Sequence, residues 1–303
     1  MDAHPGAIAA VAAPFGRDVE AAQTRIASTV HAARADGARL IAFPESALGG
    51  YLLESEPGTP PGPDMLPPAL EPDGPEIARL SRIAGDAVLC IGYTEAGASG
   101  ERYASAVCVS GDGVLGRHRK VHLPPAERFA YAPGDGFAAF DTPAGRVGML
   151  LCYDKLFPEA SRALALDGAQ VIVCMSAWGA DRRRPAPDLR DDRQTRHFDA
   201  VDCVRAIENQ IVWVSSNLTG RWGARCFVGR SKVVDPDGVV LAATGHDEGV
   251  ALARVDPTHA IAETLLDIDH LGDRRPAAYG LAATPASASA GSQAPRAEAP
   301  PTG

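Results

Sequence analysis

The feature that most constrains the fold of this chain is an alternation of helix-like and strand-like segments. Apolar residues have helical spacing over Val19–Ala35, Gly37 is a typical helix stop, and an apolar strand-like run follows over Arg39–Phe43. The same order recurs where a helical segment over Glu159–Asp167 leads through an Asp-Gly stop into a strand-like run over Val171–Met175. This alternation predicts an α/β fold in which helices cover mixed sheets.

The remaining secondary-structure predictions rest on the same periodicities. Helices are predicted over Pro75–Ala84 and Asp191–Asn209. Two short turns, Gly-Asp-Gly and Asp-Pro-Asp-Gly, are typical of β-hairpins. Strands are predicted over the runs Ile8–Ala13, Ala87–Tyr93, Tyr103–Val109, Val114–Arg119, Val147–Leu151, Ile211–Ser216, Lys232–Val234 and Val239–Ala243. We expect one domain over residues 1–281, followed by a disordered tail over 282–303 that is rich in Ala, Ser and Pro.

Composition limits the classes of function. Hydrophobic residues make up 46% of the chain, enough for a sizeable core, and the net charge of -9 offers no basic surface for nucleic acid. No apolar run approaches the roughly 18 residues of a membrane span, so no membrane contact is expected. The six scattered cysteines form no CxxC pair, which favours a reduced, cytoplasmic protein, and no HExxH pattern suggests a metal site.

Three chemically different side chains each follow an apolar strand-like run. Glu45 follows "LIAFP", Lys120 closes "GRHRK" and Cys152 follows "VGMLL". Ligand crevices of open α/β sheets lie at strand ends, so these side chains are expected to converge. A thiol is mostly protonated at neutral pH, and a neighbouring carboxylate can take its proton while an ammonium offsets the charge. When the thiolate attacks an amide carbonyl, Lys120 and the backbone N–H of Tyr153 are candidates to stabilise the oxyanion.

The motifs around these residues resemble those of the nitrilase superfamily of carbon-nitrogen hydrolases. The matching segments, which fall within about residues 7 to 281, are "FPES", "GRHRKVHLP", "ERFAYAPGD", "CYDKLFPE", "ENQIVWVSSN" and "DRRPAAY". The resemblance implies a four-layer αββα sandwich, a homodimer or higher homo-oligomer, and hydrolysis through a cysteine thioester without metal or organic cofactor. It also implies that Glu45 is general base and acid, that Cys152 is the nucleophile and that Lys120 stabilises the oxyanion. Glu127, in "ERFAYAPGD", would position Lys120 and the substrate amide.

The residues after the nucleophile bear on the substrate. Superfamily members that act on nitriles often carry Trp-Glu there, whereas this chain carries Tyr153-Asp154, which is more typical of amidases. We therefore expect a small carboxamide or N-carbamoyl substrate and release of ammonia. Trp178 and Asn217 follow strands near the expected site and are, with Tyr153, candidate substrate-binding residues. A substrate with a free carboxylate would need an arginine clamp, for which Arg182–Arg184 and Arg221 are available.

Several alternatives remain at this stage. The nearest is a nitrilase that converts a nitrile to an acid and ammonia, and one of another class is a non-catalytic scaffold that retains the fold. The retention of Glu45, Lys120 and Cys152 argues against the scaffold. A Cys-His pair with His118 or His122 would leave the glutamate and the lysine unexplained. A redox-sensing thiol would call for a resolving cysteine, and none is adjacent to Cys152 in the sequence.

Overall fold

A computed structural model of the chain describes residues 6–53 and 59–279. The α-helices within these residues are α1 (Val19–Ala35), α2 (Pro75–Ala84), α3 (Pro158–Leu166), α4 (Arg193–Asn209) and α5 (Pro257–Thr264). The strands are β1 (Ala7–Ala13), β2 (Ala38–Ala42), β3 (Val88–Ala96), β4 (Arg102–Ser110), β5 (Gly113–Arg119), β6 (Ala139–Thr142), β7 (Gly145–Leu151), β8 (Val171–Ser176), β9 (Val212–Leu218), β10 (Arg221–Trp222), β11 (Arg225–Cys226), β12 (Lys232–Val234), β13 (Val240–Ala243) and β14 (Gly249–Arg254). The predicted tail over 282–303 lies outside the described residues.

Hydrogen bonding joins twelve of these strands into one network, which bends into two layers. One layer has the order β5-β4-β3-β2-β1-β14, and the other has the order β13-β12-β9-β8-β7-β6. Among the strands of the described residues, the two layers pair with each other only where the last residues of β1 meet β9, through Ala12 with Asn217 and Ala13 with Leu218. Beyond that corner β14 pairs with β1 and β12 pairs with β9, so the two sheets separate and lie face to face.

Alternation along each strand divides the core between the two faces of each sheet. Ile8 and Leu40 of the first sheet pack with Met149 of the second in the central core. The opposite face of the first sheet packs against α1 and α2 through residues such as Val11. The opposite face of the second sheet packs against α3 and α4 through residues such as Trp213. The layers therefore follow the order helix, sheet, sheet, helix, and the predicted four-layer αββα sandwich is confirmed.

An aspartate cap and a glycine stop set the two ends of α1, after which the chain enters β2. The Asp18 carboxylate accepts a hydrogen bond from the Ala21 amide at 2.9 Å and caps the start of α1. After α1, Gly37 adopts a φ of 91°, which a glycine reaches without steric cost, and its amide bonds the Arg34 carbonyl. The chain turns directly into β2, whose carboxyl end leads to Glu45. Within residues 6–53 and 59–279, no helix has both the length and the apolar character needed to span a bilayer.

Candidate active site

The candidate catalytic residues follow the carboxyl ends of strands that run in one direction. Strands β2, β1, β9, β8 and β7 are successively parallel, and β5 shares their direction because it is related to β3 through two antiparallel pairings. Glu45 follows β2, Lys120 follows β5 and Cys152 follows β7. Parallel strands end at the same edge of a sheet, so the topology brings the three side chains to one edge of the sandwich.

Lys120 is the centre of a buried ion-pair cluster. Its Nζ lies 2.7 Å from Glu45 Oε1, and 2.9 and 2.8 Å from the two carboxylate oxygens of Glu127. The exposed fractions of Glu45, Lys120 and Glu127 are 2, 0 and 1%. Burial by itself lowers the pKa of Lys120, but the two carboxylates outweigh it and raise the pKa well above its ordinary value. The ammonium is therefore charged at every physiological pH.

The Glu45 carboxylate is held by two hydrogen bonds, and its pKa is raised. Its Oε2 accepts a hydrogen bond from the Ala177 amide at 3.0 Å, while Oε1 bonds Lys120. The pKa of Glu45 is raised from 4.5 to about 6, because burial and the negative charge of Glu127 together outweigh the opposing contacts with Lys120 and Cys152. A carboxylate with this pKa is ionised at neutral pH and remains basic enough to accept a proton.

Cys152 begins a 3₁₀ turn that covers Cys152–Leu156. Its φ of 43° lies in the left-handed region, which residues other than glycine rarely adopt. Burial raises the pKa of its thiol well above the ordinary value, the charge of Glu45 raises it further, and Lys120 only partly offsets this. The thiol is thus neutral at rest and in contact with a carboxylate that can deprotonate it.

The nucleophile turn is tied on one side to the lysine segment. Buried Asp154 accepts hydrogen bonds from the Leu151 and His122 amides at 3.2 and 2.9 Å, and its two oxygens pair with ring nitrogens of His118 and His122 at 3.0 and 2.9 Å. Burial alone would raise the pKa of Asp154, but these hydrogen bonds outweigh it and hold the pKa well below its ordinary value. Because His118 and His122 flank Lys120, Asp154 fixes the distance between the two motifs. The two histidines serve this contact instead of forming the Cys-His pair considered above.

The same turn is tied on its other side to helix α4. Lys155 Nζ lies 2.8 Å from Asp202 Oδ1, and Lys232 Nζ lies 2.8 Å from Asp202 Oδ2. The Trp213 indole N–H donates to Asp202 at 3.0 Å, and the Lys155 ammonium stands 3.3 Å from the ring centroid of Phe198. All of these side chains are at most 1% exposed. A residue other than glycine keeps a left-handed backbone conformation only where the surrounding contacts hold it there. The contacts of Asp154 and Lys155, on the two sides of the turn, hold Cys152 in this way.

A cavity of about 500 Å³ opens onto Cys152. Tyr153 and Trp178, both predicted substrate-binding residues, line it together with Glu127. Asn217 is fully buried behind this wall, where its side chain bonds the Trp178 amide at 2.7 Å and the Trp178 carbonyl at 3.3 Å. The structure thus brings Asn217 to the back of Trp178 and not to the cavity surface.

Sequence reasoning did not identify Tyr51 as a site residue. Its hydroxyl donates to Glu127 Oε1 at 2.6 Å, its side chain is buried, and it lines the cavity. The only sequence signal is its position six residues after Glu45, in the loop that leaves the end of β2. The sequence marks Asp154 only as a residue that bears on the choice of substrate, whereas the structure gives its carboxylate four hydrogen-bonding contacts.

Comparison with known proteins places this geometry in a family. The sequence profile of the carbon-nitrogen hydrolase family matches residues 7–262. An (R)-stereoselective amidase from Pseudomonas sp is 33% identical over 240 residues, which cover 78% of this chain and 79% of the amidase. A nitrilase from Pyrococcus abyssi is 33% identical over 225 residues, which cover 73% of this chain and 78% of the nitrilase. A solved carbon-nitrogen hydrolase from Helicobacter pylori G27 superimposes with a TM-score of 0.79 at 25% identity, covering 91% of this chain and 97% of that one.

Proposed function

Because this chain belongs to the carbon-nitrogen hydrolase family, we propose that it hydrolyses a small carboxamide or N-carbamoyl compound through a thioester on Cys152, with release of ammonia. Hydrolysis of non-peptide carbon-nitrogen bonds follows from the family. One observation carries the proposal: a buried ammonium lies within 2.9 Å of both glutamates, beside a cavity onto which Cys152 opens. The cytoplasmic location stays a prediction.

The first half of the reaction forms the thioester. The Glu45 carboxylate takes the thiol proton of Cys152 as the sulfur attacks the amide carbon, and the carbonyl oxygen becomes an oxyanion. Lys120 and the Tyr153 backbone N–H stabilise that oxyanion, an effect for which loss of one donor typically costs about 10²–10³ in rate. Glu45 then gives the proton to the leaving nitrogen, the carbon-nitrogen bond breaks, and ammonia departs.

The second half returns the enzyme to its starting state. Glu45 takes a proton from a water molecule that attacks the thioester carbon, and the oxyanion forms again beside Lys120. The carbon-sulfur bond breaks, the acid leaves, and Glu45 returns the proton to the Cys152 sulfur. With an N-carbamoyl substrate the acid that leaves is an N-substituted carbamic acid, which breaks down to carbon dioxide and the free amine.

Glu127 and Tyr51 keep the lysine in place through both halves. Glu127 accepts two hydrogen bonds from Lys120, and its Oε1 also accepts a hydrogen bond from the Tyr51 hydroxyl. The second carboxylate also offsets the desolvation of the ammonium, which keeps Lys120 protonated and unable to serve as a base.

A nitrilase is the second candidate, and the similarity to the nitrilase from Pyrococcus abyssi favours it. Attack of the same sulfur on a nitrile carbon would give a thioimidate, which water converts to an acid and ammonia. The residues Tyr153-Asp154 after the nucleophile favour the amide.

Ammonia release from matched pairs, such as butyramide with butyronitrile, separates the two candidates. We expect turnover of the amides and an acyl mass increment on Cys152 of the wild type during turnover. Cys152→Ala should show neither, and Glu45→Gln should release no ammonia. Turnover of nitriles alone would replace the proposal with its alternative. A protein that releases no ammonia and acquires no adduct from either panel would contradict both and favour a scaffold.

A further inference from the structure

The three lysines of this chain are all buried. Lysine occurs only at Lys120, Lys155 and Lys232, and their exposed fractions are 0, 0 and 1%. An ammonium is a compact point charge with three donors, whereas a guanidinium is a wide planar fork, so the two do not replace each other in a closed cluster. The catalytic cluster accounts for Lys120 alone, so Lys155 and Lys232 need another explanation.

The Lys155 ammonium is stabilised by one shared carboxylate and two aromatic rings. Its Nζ donates to Asp202 Oδ1 at 2.8 Å, while Lys232 donates to Asp202 Oδ2 at 2.8 Å. Within the part of the chain that the structure describes, no second carboxylate forms a salt bridge with Lys155. Its Nζ instead lies 3.3 Å from the ring centroid of Phe198 and 4.9 Å from that of Trp178. Ring faces attract a cation, most strongly where water is excluded, so the two rings complete the stabilisation of the ammonium.

Trp178 belongs both to this buried cluster and to the wall of the catalytic cavity. It lines the cavity, and its ring packs against Phe198 with 5.9 Å between the centroids. Its indole N–H donates to the Gln194 carbonyl at 3.2 Å, which ties the ring to α4. Cys152 packs against the apolar cluster that Trp178 and Phe198 form with Val228. An acyl group bound to the Cys152 sulfur therefore lies beside Trp178.

The wall that contains Trp178 is one continuous segment of the chain. Every residue of 177–183 lines the cavity. At the start of this segment the Ala177 amide donates to Glu45 Oε2 at 3.0 Å, so Trp178, the following residue, lies close to the reacting atoms. At its other end are the first two arginines of the run 182–184, whereas the third does not line the cavity. Trp178 is thus the one large apolar side chain of this wall, and it adjoins the catalytic base.

Lys155 connects this wall directly to the nucleophile. It lies three residues after Cys152 on the same 3₁₀ turn, and its backbone carbonyl accepts a hydrogen bond from the Arg205 guanidinium at 2.8 Å. Because Lys155 is fully buried and does not line the cavity, it contacts Trp178 from the side away from the substrate. One residue therefore fixes how far the Trp178 ring stands from the Cys152 sulfur, and this distance is the width left for an acyl group.

On the basis of the proposed function, we propose that Lys155 is a positioning residue that acts through Trp178 to restrict the substrate to narrow, unbranched acyl groups. The ammonium attracts the Trp178 ring and holds it against the nucleophile turn, so the pocket beside the sulfur has a fixed width. A straight carbon chain passes along the ring, whereas a branch at the carbon next to the carbonyl meets it. A single misplaced methyl or methylene group in an apolar pocket typically costs about tenfold or more in kcat/KM.

Pairs of isomeric substrates test this width. Butyramide and isobutyramide contain the same atoms and differ only in branching, and propylurea and isopropylurea form the matching carbamoyl pair. In the wild type we expect kcat/KM for the straight isomer to exceed that for the branched isomer by about tenfold or more. Lys155→Met removes the charge and keeps an apolar side chain, so that ratio should fall by about five- to tenfold. Trp178→Leu should lower the ratio at least as far.

Lys232→Met is the matched control within the buried network. It also removes a lysine from Asp202, but among the described residues the ring that Lys232 contacts is Phe198, at 4.2 Å, and not Trp178. Its ratio should stay within about twofold of the wild type, even where both lysine variants lose stability. The two isomers are measured on one enzyme preparation, so a loss of folded protein cancels from each ratio. Lys155→Gln, which keeps a donor for Asp202 without the charge, repeats the test if the methionine variant does not fold.

A double variant shows whether Lys155 acts through Trp178. Residues that act as one unit are not additive, so Lys155→Met combined with Trp178→Leu should give the ratio of Trp178→Leu alone to within about twofold. Effects of the two substitutions that multiply, or equal ratios in Lys155→Met and Lys232→Met, would overturn the positioning role.

This inference and the proposed function fail in different ways. Cys152-dependent ammonia release with the same ratio in the wild type and in Lys155→Met would overturn the role of Lys155 and leave the proposed function intact. Equal turnover of the two isomers by the wild type would have the same consequence. Failure to release ammonia from any compound of either pair, without an adduct on Cys152, would overturn the proposed function and this inference together.

Discussion

At the scale of single residues, the resting state of the site is set by which group holds the proton. The pKa of the Cys152 thiol is raised well above its ordinary value, chiefly by burial, whereas that of the Glu45 carboxyl rises only to about 6, so the proton stays on sulfur at neutral pH. Lys120 is charged throughout. The site therefore holds a neutral thiol beside a ready base, and we infer that the thiolate forms only as the sulfur attacks the substrate.

The acid limb of the pH profile follows from this arrangement. Protonated Glu45 cannot deprotonate Cys152, so kcat/KM should fall about tenfold per unit as the pH drops below about 6. Measurement of kcat/KM between about pH 4.5 and 8 checks this, because kcat/KM reports the groups of the free enzyme. A limb near 4.5, the ordinary value for glutamate, would contradict the assignment of Glu45 as the base.

The same raised pKa makes a prediction about stability. The folded state binds the Glu45 proton more tightly than the unfolded state does, so the stabilisation from this group is present below pH 4.5 and is lost as the pH rises through about 6. Glu45→Gln resembles the protonated form and should raise the free energy of unfolding by up to about 2 kcal/mol at pH 8, with little change at pH 4.

Urea unfolding of the wild type and of Glu45→Gln at both pH values checks that difference. The gain should be confined to the higher pH, while catalytic turnover is lost at both. A variant that is less stable than the wild type at pH 8 would show that the carboxylate stabilises the fold, opposite to this prediction.

At the scale of elements, two anchors hold the nucleophile turn after β7. Asp154 joins it to the segment after β5, and Lys155 joins it to Asp202 on α4. The turn is therefore connected to both sheets and to a helix, although it covers only Cys152–Leu156. This explains how a left-handed cysteine is kept in place without a glycine.

Removal of one anchor tests its contribution. Asp202→Ala takes the carboxylate from two buried lysines, and we expect it to lower the free energy of unfolding by about 3–5 kcal/mol, the cost of breaking a buried pair from one side. Asp112→Ala, in the exposed turn between β4 and β5, is the matched control and should change it by less than about 0.5 kcal/mol. Equal effects of the two substitutions in urea unfolding would show that the buried network contributes no stability.

Comparison of the predicted and observed elements shows which sequence signals are sufficient to locate a helix or a strand. Helices α1 and α2 have the predicted bounds, since each has a clear cap or an N-terminal proline and a glycine stop. Strand β14, which pairs with β1 over most of its length, was not predicted. It is partly exposed along its length, and its "GVALAR" sequence has neither a long apolar run nor clean alternation. Its place in the sheet depends on β1, more than two hundred residues earlier in the chain.

At the scale of the whole molecule, the outer surface of the second helical layer remains partly apolar. Val204 and Ile207 of α4 are 47 and 41% exposed, and Val239 beside the β12–β13 hairpin is 55% exposed. Light scattering should give a mass of at least twice the 31.5 kDa of the chain, as the family resemblance predicts. Ile207→Asp should weaken the association if this face is involved, and a monomer at all concentrations would contradict the homo-oligomer.

The sequence by itself determined most of the helices and strands, the α/β class and the identity of Glu45, Lys120 and Cys152 as candidates, and the resemblance of its motifs to a known family implied the αββα sandwich. The elements and the candidate residues are encoded locally, because apolar periodicity and short motifs can be read within a few residues. Tertiary structure alone decided that Tyr51 holds Glu127 across 76 positions, that Asn217 supports Trp178 from behind, and which arginines face the cavity. The physical reason is that a side chain's neighbours depend on how distant strands and loops pack, and neither spacing nor composition records that direction.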